Sequence, residues 1–151
     1  MAASVMLDTN VLVYAHDRSE PEKQQRALEV LERVQSIGSG ALTTQVLAEF
    51  FSTAIRKLSA SLSMEAAARQ VELFARAWPV LDVTTFTVLE AIRGTRTHQM
   101  SYWDAQIWAS ARLNQVPIIL SEDFSAGAVL EGVRFVDPFT DDFDLDAWLP
   151  E

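Results

Sequence analysis

The chain has 151 residues, 49% of them hydrophobic, which is the length of one ordinary domain with enough apolar surface for a full core. Cysteine is absent and only His16 and His98 are present, which excludes a disulfide scaffold, thiolate catalysis and Cys-ligated zinc and argues against a His-rich metal site. The formal net charge of −9 argues against tight non-specific nucleic-acid binding, and with no membrane-length apolar run or leader-like start the protein is expected to be cytoplasmic.

Ser4 to Leu7 reads as a short apolar strand that stops at Asp8, after which Asn10 to Ala15 has helical character. Pro21 suits the first turn of a second helix, in which Ala27, Val30, Leu31 and Val34 recur at helical spacing before Gly38 and Gly40 end it. Ala41 to Thr43 is a brief strand. The helix after it carries Val46, Leu47, Phe50, Phe51, Ala54 and Leu58 on one face. Ser63 is positioned to cap a further helix through Ala67, Val71, Phe74 and Trp78, which Pro79 stops.

Val80 to Val83 is the next strand, and Thr85 or Thr87 starts a helix through Ile92, with Thr87 and Glu90 at capping-box spacing and Gly94 expected to interrupt or end it. Ser101 opens a helix from Trp103 to Leu113 that is apolar nearly all round, so it is expected to be buried. Pro117 to Leu120 and Val133 to Val136 are continuous apolar strands. Unbroken apolar strands alternating with helices predict a parallel sheet covered on both faces, an α/β fold. Residues 1–138 form the expected domain, and 139–151 an acidic tail with Phe139, Phe143 and Trp148 as anchors, packed on the domain or extending from it.

Four carboxylates stand out against this frame: Asp8, Glu49, Asp104 and Asp123. Asp8 and Asp123 follow strands, at the carboxyl edge where open parallel sheets gather function. Each also has a purely structural role open to it. Asp8 suits a helix N-cap, as do Thr9 and Asn10 beside it, and Asp123 suits a turn, with Glu122 as a competitor for any ligand role. Asp104, three residues after Ser101, matches a capping box and complements the helix dipole, although Tyr102, Trp103, Ile107 and Trp108 would wall it from water. Glu49 falls outside the arc of Val46, Phe50 and Ala54, on the side of Gln45, Ser52 and Thr53, where a solvated acid is common. Converging carboxylates would repel one another, so gathering them calls for a hard cation that prefers oxygen ligands, Mg²⁺ or Mn²⁺.

Their order and context carry more than any one of them. Asp-Thr-Asn after a first strand, an acid in the third helix, Ser-Tyr-Trp-Asp at a helix start and Leu-Ser-x-Asp after a later strand resemble the PIN-domain ribonucleases, in particular the VapC-type toxins of toxin–antitoxin pairs. The resemblance runs from Val5 to Pro138. It implies a PIN-like α/β/α sandwich with a parallel sheet of about five strands, and a Mg²⁺- or Mn²⁺-dependent endoribonuclease. Asp8, Glu49, Asp104 and Asp123 would then be the catalytic metal-site acids, and Thr9, Asn10 and Ser121 the supporting polar groups. An RNA substrate, a cognate antitoxin and a homodimer are the partners it implies, with the helices over Val46 to Leu58 and Val71 to Trp78 offering the apolar surface and the antitoxin placing an Arg or Lys in the acidic site. Ser121 stands where such proteins often have Thr, which keeps the hydroxyl.

Hydrolysis on such a site would leave 5′-phosphate and 3′-hydroxyl ends without attack by the ribose 2′-hydroxyl. Arg93, Arg96 and His98 are candidate RNA phosphate contacts, and Arg56, Lys57 and Arg112 add positive charge despite the acidic balance. Trp103 or Trp108 could stack on a base. Two rivals remain: a PIN-like scaffold without catalysis, and an aspartyl phosphotransferase. Against the second, no further Asp follows two residues after Asp8, and no Lys occurs after Lys57 to meet a phosphoryl group.

Overall fold

A computed structural model describes residues 3–125 and 127–151; Met1, Ala2 and Ala126 lie outside the described residues. The elements run β1 (Val5–Leu7), α1 (Thr9–Ala15), α2 (Pro21–Ile37), β2 (Gly40–Thr43), α3 (Thr44–Lys57), α4 (Met64–Ala77), β3 (Val80–Leu81), α5 (Thr85–His98), α6 (Tyr102–Leu113), β4 (Ile118–Leu120), β5 (Val129–Leu130), β6 (Val133–Val136) and α7 (Leu145–Trp148). No helix among the described residues is long and apolar enough to cross a membrane.

The strands form one sheet in the order β3-β2-β1-β4-β6-β5, parallel except for β5, which runs antiparallel to β6 at the edge. The five parallel strands are those expected, and β5 is an addition to them. The added strand comes from a two-residue hairpin at Glu131 and Gly132, both left-handed with φ of 50° and 85°, the backbone that joins two twisted strands tightly. A non-glycine residue at such a φ is disfavoured, and Glu131 is held there by Arg93, whose guanidinium donates to it at 2.8 Å, and by His98 at 2.7 Å.

From β1 the chain proceeds to β2 and β3 on one side, and later to β4 and β6 on the other. The order therefore reverses between β1 and β4, which pair through Leu7 and Leu120. In an open α/β sheet the crevice outside that reversal is where separate loops can converge. Val5, Met6, Leu7, Ile119 and Leu120 are essentially inaccessible, so both strands deliver their last residues from a dry core.

α3 and α4 pack on each other through Phe50 and Phe74, whose rings meet edge-on with centroids 5.7 Å apart. Part of the apolar surface that these helices were expected to offer a second copy is consumed within the fold, while Ile55, Met64 and Leu73 remain exposed on them. Exposed apolar side chains lie also on α5, where Phe86, Leu89 and Ile92 follow one another at helical spacing. The tail docks on α2: Arg33 donates to the Leu149 carbonyl at 2.7 Å and to Asp146 at 2.8 Å, and Leu149 is buried.

Two details of α5 differ from the sequence expectation. Its capping box joins Thr84 and Thr87, not Thr87 and Glu90, because the first turn starts earlier and Glu90 is turned to Arg93 and Arg112. Nor does Gly94 end the helix. A Cβ at Gly94 would lie 2.6 Å from the Trp108 ring, so glycine there lets α5 close onto α6, and Ala105 to Ala111 are buried as a result. On an exposed helix Gly94→Ala would gain up to about 1 kcal/mol. Here overpacking reverses the sign, and thermal unfolding is expected to show a loss of about 1–3 kcal/mol.

Candidate functional site

Asp8 leaves the end of β1 in extended backbone and caps α1, its Oδ1 accepting the Thr9 N–H at 2.7 Å. Its second oxygen accepts the Ser121 hydroxyl at 2.7 Å, so the end of β1 is tied to the end of β4. The Ser121 oxygen in turn accepts from Asn10 Nδ2 at 3.1 Å and from the Asp123 N–H at 3.1 Å. Asn10 Oδ1 completes the circuit by accepting the Glu122 N–H. Thr9, Asn10 and Ser121 thus hold the Asp8 carboxylate and the turn that carries Asp123.

Glu49 is reached from the other side. The Thr9 hydroxyl donates to its Oε2 at 2.9 Å, and Gln45, one helical turn earlier, donates to its Oε1 at 2.8 Å. Gln45 also donates to the Trp103 carbonyl at 3.1 Å and accepts from Gln106 at 2.9 Å, while Tyr102 donates to Gln106 at 2.8 Å. This chain of hydrogen bonds runs from α1 through α3 to the first turn of α6. Asp104 sits in that turn, three residues after Ser101, whose hydroxyl caps the helix.

Electrostatics bring the four acids into one field. Burial pushes the Asp8 carboxyl up to about 6; the Ser121 and Thr9 hydrogen bonds oppose the shift, and the charges of Asp123 and Glu49 add to it. Asp104 is also raised, by burial first, with Asp123 and Glu49 again contributing and Ser101 opposing. Among the described residues no ion pair involves any of the four. Nor, among the described residues, do three acids stand close enough to ligate one ion as arranged. Like charges explain the spread, because Asp8 and Glu49 have both turned onto hydroxyl and amide donors. The donor set is nonetheless all oxygen, negative and without a counter-cation, which fits a hard divalent ion and no soft one.

Glu122 does not join the acids. It accepts from Lys23 at 3.0 Å and from the Tyr14 hydroxyl, and so clamps the loop that bears Asp123 onto α1 and α2. Of the candidate phosphate contacts, Arg93 and His98 are turned to Glu131, and Arg112 to Glu90; Arg96 is exposed. Trp108 is fully buried with its indole N–H on the Leu130 carbonyl, whereas Trp103 is 63% exposed. Sequence reasoning missed Gln45 and Gln106. A glutamine inside the otherwise apolar α6, and another one turn before an acid, were the signals available.

The PIN domain model matches residues 5–129. Similar solved structures include the Mycobacterium tuberculosis toxin VapC20, described as cleaving the sarcin-ricin loop: 18% identity over 85% of this chain and 98% of that one, TM-score 0.65. A DNA-bound VapBC complex from Salmonella typhimurium shares 20% identity over 91% of this chain and 99% of that one, TM-score 0.63. A toxin–antitoxin complex from Klebsiella pneumoniae shares 18% over 89% and 98%, TM-score 0.62. At such identities the likeness is one of fold, and no curated protein matches the chain by sequence. With the α/β sheet, the reversal of strand order at β1 and β4, and a family model spanning most of its length, the chain belongs to the PIN-domain family.

Proposed function

We propose that this protein is a Mg²⁺- or Mn²⁺-dependent endoribonuclease, the toxin of a toxin–antitoxin pair. The observation that carries the reading is the buried Asp8 carboxylate, within electrostatic reach of Asp123 and Glu49, which also bear on Asp104, with no cation paired to any of the four among the described residues. A scaffold gains nothing from burying Asp8 among like charges, and a carboxylate so placed costs stability unless an ion answers it. The VapC and VapBC neighbours support the toxin reading through their shared fold.

Asp8, Asp104 and Asp123, with Glu49, would hold the metal. The chemistry it supplies when bound is Lewis-acid stabilisation of the charge growing on phosphate and acidification of the attacking water. The chain does the rest. Thr9, Asn10 and Ser121 keep Asp8 in one orientation, and Gln45 does so for Glu49. Both oxygens of Asp8 and of Glu49 already accept hydrogen bonds, which leaves the carboxylates of Asp104 and Asp123 to orient the attacking water and take its proton. Arg96, together with Arg56 and Lys57, is exposed and offered to phosphate, while Arg93 and His98 would have to leave Glu131 to serve. An antitoxin placing a basic side chain among the acids would inhibit by charge complementarity, and a second copy would cover Phe86, Leu89 and Ile92.

Asp8→Asn and Asp104→Asn are each expected to lower kcat/KM for Mg²⁺-dependent RNA cleavage by roughly 100-fold or more while thermal unfolding stays close to wild type. Unchanged turnover in both, measured on structured and single-stranded RNA, would leave a scaffold.

The metal-free protein should lose stability as pH rises. The folded Asp8 holds its proton more tightly than the unfolded chain, so its contribution is complete below 3.8 and lost as pH passes about 6. That amounts to about 3 kcal/mol by pH 7. Unfolding in EDTA across this window should show the decline in wild type and little of it in Asp8→Asn. At neutral pH, Mg²⁺ at a hundredfold excess over its dissociation constant should restore about 2.7 kcal/mol to wild type and much less to the variant. Equal metal responses in the two proteins would remove Asp8 from the metal site.

A further inference from the structure

Beside the acids lies an open groove of about 460 Å³, within the range of small-ligand pockets, between α3, the start of α6 and the segment after β3. Trp103, Val83, Ala48 and Thr44 line it, and Glu49 belongs both to this groove and to the acid cluster. The Trp103 ring is 63% exposed, yet it is braced edge-on by Tyr102 with centroids 5.0 Å apart, and its own backbone carbonyl is held by Gln45. An exposed indole fixed in this way is a ready-made flat platform.

The geometry points to this groove as a subsite for one unpaired nucleobase of the RNA strand, stacked on Trp103 next to the scissile phosphate. The inference rests on the reading of the acids as an RNA-cleaving site. Among the described lining residues none is basic, so the groove suits the neutral, planar part of a nucleotide and not its phosphate. Asp104 follows Trp103 directly in the chain, and Glu49 lines the groove, so a strand whose phosphate lies at the acids carries an adjacent base to the indole. Gln45 spends its amide hydrogens on Glu49 and the Trp103 carbonyl, Gln106 donates to Gln45 and accepts from Tyr102, and the Thr44 oxygen accepts the Val83 N–H. With these groups largely engaged within the fold, the subsite selects for an aromatic base more than for one base's edge, and cleavage specificity at this position comes chiefly from strand shape and from the bases being unpaired.

The test compares a short fluorescein-labelled oligouridine with an abasic ribose-phosphate strand of equal length, binding to the full chain with Ca²⁺ in place of Mg²⁺ to hold turnover down. Wild type should prefer the base-bearing strand by about tenfold, the scale of one stacked base. Trp103→Ala should bind both strands at the abasic level, and Trp103→Phe should retain most of the preference. Quenching of tryptophan fluorescence by oligouridine should be largely lost in Trp103→Phe. Both variants alter an exposed side chain, and their melting curves should match wild type. A base preference that survives in Trp103→Ala, or none in wild type, overturns the subsite. So does a Trp103→Ala variant that dissociates a dimer in sedimentation while keeping the base preference, since the indole would then belong to a protein interface. Because binding is read without turnover, a protein that binds bases through Trp103 but cleaves no RNA loses the nuclease reading alone, and one that cleaves without base preference loses only the subsite.

Discussion

A carboxylate at the end of a dry central strand is the constraint around which this protein is arranged. Asp8 emerges between β1 and β4, where the neighbouring core residues are inaccessible, and two good hydrogen bonds do not fully offset its desolvation, so its carboxyl is pushed up to about 6. The reversal of strand order falls at this point, so the costly carboxylate sits where loops from both halves of the sheet converge.

The surroundings of Asp8 are built to keep like charges near one another without letting them collapse onto the nearest cation. Lys23 on α2 is taken up by Glu122 and Tyr14, and the α5–α6 surface pairs Arg93, Arg112 and His98 with Glu90 and Glu131. Glu131 is lowered to about 2 by Arg93 first and His98 second, the reverse of what happens to Asp8. Acids of the tail are handled similarly, with Arg33 on Asp146. The net charge of −9 is thus unevenly spread: Glu90, Glu122, Glu131 and Asp146 are paired with cations, whereas the acids at the sheet edge are not. An overall charge says little about a partner when its distribution is this uneven.

Hydrogen-bond chains do the positioning. Thr9 links Asp8 to Glu49 by donating from its backbone to one and from its side chain to the other. Gln45 and Gln106 carry the link across to α6, and the close packing of α5 on α6 at Gly94 and Trp108 sets where that helix begins. Buried amides of this kind rigidify when every partner is satisfied. The acids therefore sit on segments fixed from three directions, Asp8 after a strand, Asp104 in a first helical turn and Glu49 inside α3.

Most elements could be read from the chain because apolar spacing and punctuation by Pro, Gly, Ser and Thr are local properties. The helices from Pro21, Ser63 and Ser101, and the strands ending at Leu7 and Leu120, came out with nearly their final bounds. Where local signals competed with packing, packing decided: Gly94 lies inside a helix because Trp108 needs the space, and Val129 and Leu130 became a strand because the Glu131–Gly132 turn folds them onto β6. Asp8, Asp104 and Asp123 were visible by their places at element ends. Glu49 was placed with the solvated residues by its helical angle, and only the approach of Thr9 from α1 and of Gln106 from α6 turned that flank inward. Sequence by itself determined the alternation of strands and helices and the types of side chain available for chemistry, since both follow from spacing along one chain. Tertiary structure alone decided which acids share a field, which cations are spoken for and which tryptophan faces water, because those depend on distances between segments that covalent order leaves free.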